Sequence, residues 1–171
     1  MVVHDGAPWE TGNDSGRYAQ IGQPWTVALP IPIFSENVRF TSVTVDMVAG
    51  PPLKLGTVRM LQLPQYGQYD GADLYPPGAT LVTDGGTLRD LSSVNVAAGK
   101  HGDLRVIIPI SINEHGCHDA RWVIHYRTRD GRTRVFKPRW FVVLTDVRLT
   151  NVPYGRCGPQ VPERVLDSPP S

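Results

Sequence analysis

Lysine is nearly missing from this chain: three of its 17 basic residues are Lys and fourteen are Arg. We read that bias as the codon usage of a GC-rich genome, without functional content. Acidic and basic residues almost cancel, leaving a net charge of +1, so bulk charge supplies no pull toward nucleic acid or another polyanion. No apolar run reaches the roughly 18 residues that cross a bilayer as a helix. The first residues, Met-Val-Val-His-Asp-Gly, lack the basic and apolar regions of a signal peptide. Export would therefore require a signal or anchor already removed from the chain. G-x-S-x-G, H-E-x-x-H and Gly-rich phosphate-loop patterns are missing, so no motif supports catalysis and no cofactor is expected. Segments of ten or more residues with helical periodicity are also lacking, because Pro and Gly interrupt almost every candidate. The best is a short turn near Leu88–Val94.

What remains is β-strand pattern in a chain of 171 residues, 40% of them hydrophobic. That length suits one domain with a core of its own. We divide it into a polar, Gly-rich arm over residues 1–23, a folded domain over 24–157 and a Pro-rich tail over 158–171. Trp25, Val27, Leu29, Ile31 and Ile33 alternate, the signature of a half-buried strand. Pro30 and Pro32 lack N–H groups on one side of it, which predicts an edge or bulged strand. Val38 to Val48 is a long strand whose apolar phase is even at Val38 and Phe40 but odd at Val43, Val45 and Met47. That change of phase predicts a bulge near Thr41–Ser42. Leu53, Leu55, Leu61 and Leu63 mark a third strand. Leu104, Val106, Ile108, Ile110 and Ile112 mark a fourth with clean alternation.

The last hairpin allows a register argument. Trp122, Ile124 and Tyr126 form one apolar set; Phe136, Trp140, Val142 and Leu144 form the next. A two-residue Asp130-Gly131 turn would put the two sets on opposite faces. A three-residue loop ending in Gly131, with that glycine left-handed, pairs Ile124 with Phe136 and puts both on one face. The buried face sets register, so the three-residue turn is expected. An all-β chain of this kind reads as a sandwich or barrel.

The order of a Pro-containing strand, a long second strand, a Gly/Pro-rich middle and the hairpin Arg121–Leu144 resembles immunoglobulin-like and fibronectin-III-like sandwiches. It is similar to extracytoplasmic modules of that kind in GC-rich bacteria. The resemblance implies an immunoglobulin-like antiparallel β-sandwich of about seven or more strands with long loops, over about residues 24–150. It departs from antibody-type domains at its cysteines: Cys117 precedes the penultimate strand and Cys157 follows the last.

Those two cysteines, 40 residues apart with none left over, fit one disulfide and an oxidising, extracytoplasmic compartment. Two free thiols in a reducing compartment are the alternative. The densest polar cluster surrounds the first of them, Asn113-Glu114-His115-Gly116-Cys117-His118-Asp119. His115, Cys117 and His118 offer zinc or copper ligands, and a metal-binding protein is the reading to weigh against a plain solvated loop. Between Arg121 and Arg139 stand seven basic residues and one acid, Asp130. The register places Arg121, Arg127, Lys137 and Arg139 on the outward face with His125, a positive stripe suited to an acidic protein or an anionic surface. Nucleic acid is disfavoured, because the aromatics that would stack on bases fall on the inward face. The segment from Pro64 to Thr80 is long for a strandless connection. Its Tyr66, Tyr69 and Tyr75 suit either a binding loop or a cover over one end of the sandwich. The expected function is a non-catalytic extracytoplasmic binding or assembly module with a protein partner. A metal-binding protein and a structural subunit of a surface or particle assembly are the alternatives.

Overall fold

A strand that is apolar at every second position must lay that face on a core. In this protein two sheets do so against each other. The structure, a computed structural model, describes residues 15–63, 73–75, 86–99, 104–138, 141–148, 157 and 163–164. Along the chain its strands are β1 (Ser15–Tyr18), β2 (Trp25–Pro30), β3 (Val38–Ala49), β4 (Lys54–Leu55), β5 (Arg59–Gln62), β6 (Asp73–Tyr75), β7 (Thr87–Asp90), β8 (Asn95–Val96), β9 (Leu104–Ser111), β10 (Cys117–Thr128), β11 (Thr133–Phe136), β12 (Phe141–Thr145), β13 (Val147–Arg148) and β14 (Glu163–Arg164). One 3-10 turn, Leu91–Ser93, falls inside the short turn expected there.

The first sheet runs β1-β12-β10-β3-β8, with β11 also on β10; the second runs β6-β2-β9-β5-β7, with β4 also on β9. Neighbours pair antiparallel except β1 and β12, which run parallel. β13 and β14 form a separate two-stranded ribbon. The first described strand, Ser15–Tyr18, and the buried Ala19 after it belong to the sandwich. Between the sheets lies one core of Trp25, Leu29, Phe40, Met60, Val106, Ile108, Trp122, Ile124, Phe136 and Leu144, among others. Each such large aliphatic or aromatic side chain contributes about 1.5–3 kcal/mol by leaving water.

The alternation of β9 holds: Leu104, Val106, Ile108, Ile110 and Ile112 all enter the core. The bulge in β3 is where the phase change put it. His125 pairs with Ser42 and Tyr126 with Phe40, leaving Thr41 unmatched, so Phe40 and Val43 both reach the core. A second irregularity leaves Val48 unmatched between the Asp119–Ala49 and Ala120–Met47 pairs. The hairpin also follows the buried face. Ile124 pairs with Phe136, Gly131 has φ +83°, and Thr128 N–H donates to the Arg132 carbonyl at 3.0 Å.

Two strand expectations need correction. β2 is not an edge: β9 flanks it along Trp25–Pro30 and β6 along Thr26–Ala28. Pro30 sits beyond the residues that β6 pairs and Pro32 beyond the strand, so the missing N–H groups fall at a strand end. The leucines of the third strand do not share a face. Leu55 pairs with Ile110 and Arg59 with Ile107, which inserts one extra residue between β4 and β5. Met60 therefore takes the core position, while Leu61 joins Ala28 and Ile107 in a small cluster on the opposite face of the sheet.

Candidate functional site

The cysteine–histidine loop is built as a structural clasp. Cys117 is bonded to Cys157 with Cα atoms 5.7 Å apart, so its sulfur offers no thiolate. His118 is the second residue of β10 and is fully buried. Its Nδ1 lies 2.9 Å from the Pro51 carbonyl oxygen and its Nε2 2.9 Å from that of Glu114. Both ring nitrogens lie within hydrogen-bond distance of a backbone carbonyl, and the protonated one donates, so the imidazole ties the turn after β3 to the turn before β10. His115 is exposed, with Nδ1 2.5 Å from Asp146 Oδ2, and Asp146 Oδ1 accepts the Gly116 N–H at 2.8 Å. The structure does not bring His115, Cys117 and His118 to a common point. Among the described residues, no three His, Cys, Asp or Glu side chains are placed to hold a metal ion.

The basic stripe divides into two regions. Arg121 and Arg127 are exposed on the outward face of β10, with half-buried His125 between them. At one end Lys137 Nζ meets Asp46 Oδ2 at 2.8 Å, and Asp46 is also the cross-strand partner of Arg121. Asp46 offsets one of the two positive charges there. His125 Nε2 is 3.1 Å from the Thr44 hydroxyl. Arg139 lies outside the described residues, as do Tyr66 and Tyr69. Tyr75 is opposite Thr26 at the β6 edge of the second sheet, not on the sheet that carries the arginines.

At the other end a cleft of about 370 Å³ opens, lined by Asn37, Arg39, Thr41, Asn95, Arg127 and Arg129 among others. The bulge and the turn shape it. Thr41 is the bulge residue of β3, and bulges re-aim side chains next to binding sites. Arg129 stands on the three-residue turn after β10. Arg39 and Arg127 are directly opposite each other on neighbouring strands, an arrangement that repels in the absence of an anion. Arg39 Nε donates to Asn95 Oδ1 at 3.0 Å, and Ala98 N–H donates to Asn37 Oδ1 at 2.9 Å. Arg and backbone N–H groups only donate, so both asparagine oxygens are used and their amide NH₂ groups remain as donors.

No carboxylate lines this cleft among the described residues. Asp130, next to Arg129 in the turn, is turned to other work. Its carboxylate accepts from the Thr128 hydroxyl and pairs with Arg132 Nε at 3.0 Å. The Thr128 hydroxyl and then the Arg132 N–H hold that carboxyl below the usual aspartate value.

No family model, curated protein or solved structure matches this chain. The functional reading rests on the cleft itself. Of the binding residues singled out in the sequence, Arg127 alone lines it among the described residues, beside the expected bulge residue Thr41. Arg39 and Asn95 were missed because they are 56 residues apart and meet only when β8 pairs with β3. Combining the Thr41 bulge with a β3–β10 pairing would have put Arg39 opposite Arg127.

Proposed function

We propose that this protein is a non-catalytic, extracytoplasmic binding module of immunoglobulin-like β-sandwich type that engages an acidic protein partner. The observation that carries the reading is the cleft at the β3–β10 end, where Arg39, Arg127 and Arg129 line one opening with no lining carboxylate among the described residues. Unmatched positive charge on a sheet face speeds encounter with a partner of opposite sign and excludes partners of the same sign. The disulfide supports an oxidising compartment and ties Cys157 to the start of β10. Binding of the full chain to immobilised polyglutamate and polylysine surfaces, at low and high salt, tests the reading. Capture by polyglutamate that weakens as salt rises is expected. Equal capture by both surfaces, or by neither, contradicts it.

A further inference from the structure

The described lining of the cleft is rich in cationic and amide donors and holds no carboxylate. Asn37 and Asn95 have spent their oxygens on Ala98 and Arg39. The single Thr128 hydroxyl proton is directed to the Asp130 carboxylate, with the Arg132 carbonyl also within reach. Arg39 is held through Nε, and its Nη groups have no partner among the described residues. Arg127 and Arg129 have no hydrogen-bond or ion-pair partner among the described residues. A lining with three arginines and no carboxylate among the described residues favours a ligand whose groups accept and carry negative charge.

Cross-strand neighbours on one face stand about 4.5–5.5 Å apart. Arg39 and Arg127 are such a pair and both line the cleft, and each guanidinium is a planar fork that fits one carboxylate bidentately. Arg129 adds a third cation from the turn. We infer that this cleft is a receptor for adjacent carboxylates, a run of Asp or Glu side chains on the partner, with Arg39 and Arg127 each taking one. This rests on the acidic-partner reading above and names the group recognised and the residues that recognise it. In the unliganded state the opposed arginines repel, so the site gives up some stability of the free protein in return for affinity.

The test is titration calorimetry of the full chain with a hexaglutamate peptide at low salt, with inorganic phosphate as the competing oxyanion and thermal unfolding of each variant alone. Arg39→Gln, Arg127→Gln and Arg129→Gln are each expected to weaken hexaglutamate by about tenfold, the scale of a lost charge-assisted hydrogen-bond pair. Arg121→Gln should change it less than about twofold, since Arg121 does not line the cleft and an exposed charge away from the contact contributes little. Arg127→Gln should leave the unliganded melting temperature equal or higher, a result that a residue needed only for folding would not give. If Arg39→Gln disturbs the β3–β8 pair and lowers that temperature, the turn variant Arg129→Gln carries the test. Hexaglutamate binding that survives the cleft variants but is lost on Arg121→Gln or Lys137→Gln overturns the cleft and leaves the acidic-partner reading standing. Phosphate that saturates the cleft while hexaglutamate does not bind overturns the carboxylate assignment. Failure of hexaglutamate to bind anywhere on the chain overturns both.

Discussion

Replacing Gly50 by alanine places a methyl group where there is no room. Gly50 follows β3 at φ +79°, and a Cβ there would lie 1.8 Å from the Cys117 carbonyl oxygen and 2.9 Å from its carbon. The left-handed backbone alone costs a non-glycine residue about 1–2 kcal/mol. The contact adds more, because the obstacle is backbone. Cys117 is paired with Thr145 of β12 and bonded to Cys157, so it cannot move by the more than about 1 Å that van der Waals contact requires. We expect Gly50→Ala to lose more than about 3 kcal/mol, a large part of a domain's total of about 5–15. For a domain of this size that is a fall in melting temperature of roughly 6–12 °C. Gly131→Ala is the control: its φ is +83° but nothing lies within 4 Å of its would-be Cβ, so only the backbone term of about 1–2 kcal/mol remains. Urea unfolding of the two variants decides. A Gly50→Ala loss no greater than that of Gly131→Ala would refute the packing of the β3 end against β10.

Three further predictions follow from named contacts. Cys117→Ser with Cys157→Ser opens a loop of sequence separation 40 and should lower the unfolding free energy by about 4 kcal/mol; urea curves of the double variant and of reduced wild type should coincide. His118→Leu leaves the Pro51 and Glu114 carbonyls without their imidazole partner and should cost about 2 kcal/mol or more, and a variant within about 0.5 kcal/mol of wild type would deny the clasp. Asp130 has its carboxyl lowered below the ordinary 3.8 by Thr128 and Arg132, so its support of the turn is complete above that ordinary value and is lost as pH falls through the lowered one. A carboxyl NMR titration should show a midpoint below 3.8, with the Thr128 and Arg132 amide signals following the same midpoint.

Sheet positions were most legible where burial acts on a strict period of two. The alternation of β9 fixes its buried face, and the bulge at Thr41 and the three-residue turn keep Phe40, Val43, Trp122, Ile124, Phe136 and Leu144 facing one core. Legibility failed where a loop decides the phase. Gly56, Thr57 and Val58 shift the register of β5 by one, and no periodicity within Leu53–Leu63 reveals it. The place of β2 was misread because proline disfavours a ladder in general, yet Pro30 and Pro32 fall where the ladder to β6 has already ended. The disulfide was legible from a count of two. The cleft was not: it joins the start of β3, the edge strand β8 and the turn after β10, and that meeting is a product of strand order. Only the outward phase of Arg127 could be read directly from hairpin register.

The central claim is that acidic side chains dock between β3, β8 and the β10–β11 turn. Backbone amide shifts of the isotope-labelled full chain, recorded during addition of hexaglutamate at low salt, test it most directly. The account predicts saturable shifts concentrated at Arg39, Thr41, Asn95 and Arg127–Arg129, fading as salt is added. Shifts spread evenly over the surface, or concentrated around Asp146 and the disulfide at the other end of β10, would contradict it.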